Sequence, residues 1–145
     1  LTCDWSSDVC SSDLGMSVGI LIITHDGIGP ALLGTALGML DDSPLKIKLL
    51  SAVRDCVPEE LLAEAELQMQ QLDDGDGVLI LTDMYGTTPA LVARQLTTRG
   101  KAGAVSGLNL PMLLRILNDP RPDLAHMMEH ALGGGKEGVR PVNGA

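Results

Sequence analysis

The chain has 145 residues, 45% of them hydrophobic and 1% aromatic, and a formal net charge of −9 at pH 7. That length suits one domain around an aliphatic core. The acidic balance and the lack of any Lys/Arg cluster exclude a nucleic-acid binder, and the shortage of aromatic rings removes a platform for stacking bases.

Residues 1–15 (LTCDWSSDVCSSDLG) differ from all that follows, and Met16 comes directly after them. They hold two of the three cysteines and the single Trp. The segment resembles translated adapter sequence and lacks the basic and apolar regions of a signal peptide. It is read as a non-native or disordered leader, with the domain at residues 16–145. Cys56 is then the domain's one thiol, so no internal disulfide framework is expected. No apolar run approaches the roughly 20 residues of a membrane span, and a cytoplasmic domain is expected.

Residues 18–24 (VGILIIT) form a nearly continuous apolar run, the pattern of a strand buried on both faces. His25, Asp26, Gly27, Ile28, Gly29 and Pro30 break it. Residues 31–40 space their apolar side chains as a helix does, with Pro30 at its first turn, and residues 41–44 (DDSP) end it. Residues 45–50 alternate as a half-exposed or edge strand. Residues 58–72 are strong helix formers with acid in the first turn. Residues 78–82 (VLILT) are a second buried strand, and residues 83–88 a polar loop. A helix over 89–98 and a short strand over 102–106 come next. Residues 111–117 and 124–132 read as helices, residues 133–135 (GGG) as a flexible break, and residues 139–142 as a short last strand. Strands alternating with helices give an α/β fold, a mainly parallel sheet with helices on both faces.

Such sheets bind ligands at the carboxyl ends of their strands. His25, Asp83 and Asn109 each follow a predicted strand and so fall on one rim. A neutral imidazole is a nucleophile near pH 7, and a carboxylate that accepts its Nδ1–H would leave Nε2 free to attack phosphorus. Taken alone, His25 reads as a loop histidine bonded to backbone, and Asp83 as a turn former. Gly86, Thr87, Thr88 and Pro89 open a helix whose free N–H groups make an anion site, with two hydroxyls as further donors. An ordinary Thr cap accounts for the same residues without a ligand. Residues 26–29 open the first helix similarly but match neither a P-loop nor the dinucleotide fingerprint. His126 and His130 have a formal metal spacing without a supporting third ligand, and read as a solvated helix face. No metal or cofactor is expected.

Three stretches carry a resemblance: residues 23–25 (ITH), residues 79–89 (LILTDMYGTTP) and residues 106–113 (SGLNLPML). In order and spacing they resemble the enzyme IIA domain of the mannose family of the phosphoenolpyruvate-dependent phosphotransferase system. Residues 136–139 (KEGV) are also like that family's C-terminal end. The resemblance implies a doubly wound fold and a homodimer, and the short last strand read over residues 139–142 would be antiparallel. It implies that His25 accepts a phosphoryl group from the phosphocarrier protein HPr and passes it to a IIB domain or uses it for regulation. It further implies that Asp83 orients His25, that Thr88 lies by the phosphate, and that membranes are met only through transporter subunits. Thr87 departs from the smaller residue expected there, and no IIB linker is seen. Leu108, Leu110, Pro111 and Met112 are placed at the partner-docking surface, where Met112→Glu would slow transfer and leave the fold intact.

Three rival readings stand beside it. The phosphotransferase subunit of dihydroxyacetone kinase shares the early histidine, but a hydroxyl residue commonly follows it there, and Asp26 does here. A haloacid dehalogenase-like phosphatase would use Asp83 but wants a second Asp where Tyr85 stands. The third is a non-catalytic α/β interaction domain.

Overall fold

The structure, a computed structural model, describes residues 18–40, 43 and 45–144. The leader, and Asp41, Asp42 and Pro44 of the expected helix stop, lie outside the described residues. Every residue from Val18 to Thr24 is buried, as a strand covered on both faces requires. Successive side chains point to opposite sides. Ile20 and Ile22 join Leu79 and Leu81 in one core cluster, and Leu21 and Ile23 join Val78 and Ile80 in the other.

The strands are β1 (Gly19–His25), β2 (Ile47–Ala52), β3 (Val78–Thr82) and β4 (Ala102–Val105). They form one parallel sheet in the order β2-β1-β3-β4. The helices are α1 (Ile28–Met39), α2 (Pro58–Leu72), α3 (Thr88–Leu96), α4 (Leu110–Asn118) and α5 (Leu124–Glu137). Helices α1, α4 and α5 cover one face through Leu33, Met112, Leu113, Ile116 and Met127. Helices α2 and α3 cover the other through Leu61, Met69, Leu72, Val92 and Leu96. This is the expected doubly wound α/β fold. Proline falls in the first turn of α2, α3 and α4, where its missing N–H costs no helical bond.

Three expectations change. Helix α1 begins at Ile28, before Ala31, because Gly27 adopts φ 87° and turns the chain at once, a conformation glycine takes without a Cβ penalty. Residues 133–135 do not break a helix; they continue α5. A Cβ on Gly134 would stand 2.7 Å from Arg115 Cβ, and one on Gly135 2.8 Å from Met112 Cε. The glycines let α5 lie close against α4, and this packing outweighs their low helix propensity. Residues 139–142 are not a strand. They follow the α5 end as exposed chain and pair with none of the four strands.

Candidate active site

Strand order reverses between β1 and β3. Chain leaving β1 crosses to β2 on one side, whereas chain leaving β3 crosses to β4 on the other. The two carboxyl ends therefore diverge and leave a crevice, the place where open α/β sheets bind ligands. The register Ile23↔Thr82 sets His25 and Asp83 side by side at this crevice.

Asp83 Oδ2 accepts two hydrogen bonds from His25, one from the backbone N–H at 3.0 Å and one from Nδ1 at 2.7 Å. A carboxylate only accepts, so in the neutral ring Nδ1 carries the proton and Nε2 keeps its lone pair. The His25 side chain is 47% exposed and that of Asp83 8%. Burial acts to raise the Asp83 pKa, but the backbone and imidazole hydrogen bonds from His25 and the charge attraction to the ring outweigh it. The carboxyl is held below its ordinary value, and the site keeps a buried carboxylate behind a half-exposed imidazole. The second oxygen, Asp83 Oδ1, is buried and has no hydrogen-bond partner among the described residues.

Thr24, which sequence reasoning passed over, is 1% exposed. Its hydroxyl accepts the Gly29 N–H at 2.8 Å and donates to the His25 carbonyl at 2.9 Å. One N–H at the start of α1 is thereby engaged, which removes it from the anion site expected of residues 26–29. The available signal was a lone hydroxyl closing an apolar strand.

On the neighbouring loop, Gly86 takes φ 82° and Thr87 precedes α3 in an extended conformation. The Thr87 hydroxyl donates to the Met84 carbonyl at 2.6 Å. Its proton braces the loop, so the expected second hydroxyl donor to a phosphate is removed. Thr88, the first residue of α3, makes no side-chain hydrogen bond among the described residues. Asn109 is a structural cap. Its Oδ1 accepts the Met112 N–H and its Nδ2 donates to the Gly135 carbonyl, tying α4 to α5.

The surface expected for docking is corrected in part. Met112 is 3% exposed and Leu108 7%, both inside the core, so neither offers a face to a partner. Leu110 and Pro111 are half-buried. The exposed apolar side chains at the rim are Ile28 after β1, Val53 and Val57 after β2, and Met84 and Tyr85 after β3. Their signal was present as apolar residues inside otherwise polar loops.

His126 and His130 lie on α5, apart from this crevice. His126 is exposed and pairs with Asp123. His130 is only partly solvated, contrary to expectation. Burial, and then the positive charge of Arg121, hold its pKa down.

A family model described as "PTS system fructose IIA component" (EIIA-man) matches residues 19–129. Over 130 residues, 88% of this chain, the sequence is 29% identical to the PTS system mannose-specific EIIAB component of Escherichia coli strain K12, and it spans 40% of that protein's length. The mannose/sorbose specific IIA subunit from Enterococcus faecalis has a TM-score of 0.79 at 18% identity, over 90% of this chain and 98% of that one. The PTS IIA protein associated with the fucose utilization operon of Streptococcus pneumoniae has a TM-score of 0.74 at 21% identity, over 88% of this chain and 94% of that one. At these identities the structural likeness carries the fold.

Proposed function

Since the chain belongs to the EIIA-man family of PTS system fructose IIA components, and is thus a phosphocarrier of the sugar phosphotransferase system, we propose that His25 is the group that carries the phosphoryl. It accepts the group from HPr and passes it to a IIB domain or protein, or holds it for regulation. One observation carries this reading: the Asp83 oxygen shared by the His25 backbone N–H and Nδ1, which leaves Nε2 for attack. The Nε2 lone pair forms the bond to phosphorus as the donor's bond to phosphorus breaks, its electron pair departing with the donor. Positive charge then develops on the ring, beside the ionised Asp83, which stabilises it. The phosphoryl oxygens face the start of α3, where the backbone N–H groups around Gly86 and Thr87 and the Thr88 hydroxyl are the donors.

Partners dock on the apolar rim of Ile28, Val53, Val57, Met84 and Tyr85, with Leu110 and Pro111 at its margin. The same reading assigns residues 16–145 to the IIA domain, working in the cytoplasm. No helix among the described residues is long and apolar enough to cross a membrane. It also takes the chain as a homodimer. Strand β4 is an edge of the sheet, and a groove of about 590 Å³ runs beside it, lined by Tyr85, Leu91, Arg94, Gly103 and Met128 among others. A strand at the sheet edge among the described residues, beside an apolar groove, suits pairing with a second copy. Sedimentation velocity is expected to give twice the chain mass; a monomer throughout removes the dimer.

The central test mixes the purified chain with phosphoenolpyruvate, enzyme I and HPr and follows intact mass, beside His25→Ala. The expected result is one acid-labile phosphoryl group on the wild type and none on the variant. No gain on folded wild type with active partners would defeat the reading and favour a non-catalytic interaction domain.

A further inference from the structure

We propose that Thr24 is a positioning residue for His25, its hydroxyl fixing the backbone from which the imidazole reaches Asp83. This rests on the reading of His25 as phosphoryl carrier. Half of the His25 side chain is exposed, so packing alone does not lock its orientation, and hydrogen bonds must. The residue is pinned at both ends of its backbone. Its N–H is held by Asp83 Oδ2 at 3.0 Å and its carbonyl by the Thr24 hydroxyl at 2.9 Å.

The Thr24 hydroxyl also accepts the buried Gly29 N–H at 2.8 Å. The N-cap of α1 is Gly27, which has no side chain to serve that N–H. Thr24 therefore caps α1 from the preceding strand while it holds the His25 carbonyl. A single hydroxyl closes the loop that bears the nucleophile, donating its one proton forward and accepting from the helix. Gly29 is matched to it, since a Cβ there would stand 2.9 Å from Thr24 Oγ1.

Two variants perturb the hydroxyl from different elements. Thr24→Val removes it with little change of shape, and Gly29→Ala crowds it from α1. Thr24→Ser retains it. For each full-length protein, the His25 tautomer is read by long-range nitrogen–proton NMR, the rate of phosphorylation by HPr is followed by intact mass, and a thermal melt reports folding. The wild type is expected to hold the Nδ1–H tautomer. Thr24→Val and Gly29→Ala are expected to give mixed tautomers and a transfer rate about 10- to 100-fold lower, the scale of a small misplacement of a reacting group. Thr24→Ser is expected to restore both readouts. A wild-type tautomer and rate in Thr24→Val would overturn the proposal. So would a lower rate with an unchanged tautomer, which would mark a merely structural role. If Thr24→Val does not fold, Gly29→Ala with wild-type tautomer and rate overturns it equally. A wild type that takes no phosphoryl group would fail the carrier reading instead, while the tautomers would still decide whether Thr24 orients the ring.

Discussion

At the scale of residues, the site depends on one carboxylate oxygen serving two donors of the same residue. Asp83 Oδ2 receives both the His25 backbone N–H and Nδ1, so its charge sets the tautomer and the strand-end geometry together. Because its folded pKa lies below the ordinary 3.8, its contribution to stability is present above 3.8 and is lost as pH falls through the lower folded value. Asp83→Asn keeps the shape and removes the charge. Urea melts are expected to show the wild type losing its advantage over the variant as pH drops below 3.8. Parallel pH curves for the two would mean that the carboxylate is not stabilised in this way. In the phosphorylation assay the same variant is expected to be slower by about 100-fold, the scale of removing one preorganised electrostatic partner.

At the scale of elements, periodicity and turn residues located most of the helices and strands to within a residue or two. The failures came where packing overrode local preference. Residues 133–135 carry three glycines, which by propensity end a helix, yet α5 runs through them because Gly134 and Gly135 lie against Arg115 and Met112 of α4. Ionic and polar contacts between the same helices, Arg115 with Glu137 at 2.7 Å and Asn109 with the Gly135 carbonyl at 3.1 Å, hold the pairing. The apolar residues 139–142 looked strand-like in isolation, but a strand exists only where a neighbour receives its hydrogen bonds.

At the scale of the whole molecule, parallel strands bring every strand-to-helix loop to one end, and there His25 sits among exposed apolar side chains. Met84 is 63% exposed and Tyr85 84%, a cost in solvation that a partner's surface would recover. Met84→Glu is expected to leave stability within about 0.5 kcal/mol and to lower kcat/KM for phosphorylation by HPr about tenfold, equivalent to roughly 1.4 kcal/mol of docking energy. Met112→Glu is the contrast. It puts a carboxylate into the core beside Leu113 and Ile116 and is expected to lower stability by roughly 3 kcal/mol. Thermal melts beside steady-state kinetics separate the two. Unchanged kinetics in Met84→Glu would take Met84 out of the docking face.

The sequence by itself determined the α/β class, the buried parallel strands and the rim that carries His25 and Asp83, because all of these follow from side-chain periodicity and from loop position after a strand. Thr88 at the opening of a helix was legible for the same reason. Only the folded structure decided which polar side chains are already engaged. Thr87 turns to Met84, Thr24 to His25 and Gly29, and Asn109 to Met112 and Gly135. It alone also decided that Leu108 and Met112 are core while Met84 and Tyr85 face outward. Residue type fixes what a side chain can donate, accept or bury, but its partner is fixed only by the folded path of the backbone, at a local turn for Thr24 and Thr87 and across the chain for Asn109 with Gly135 and His25 with Asp83.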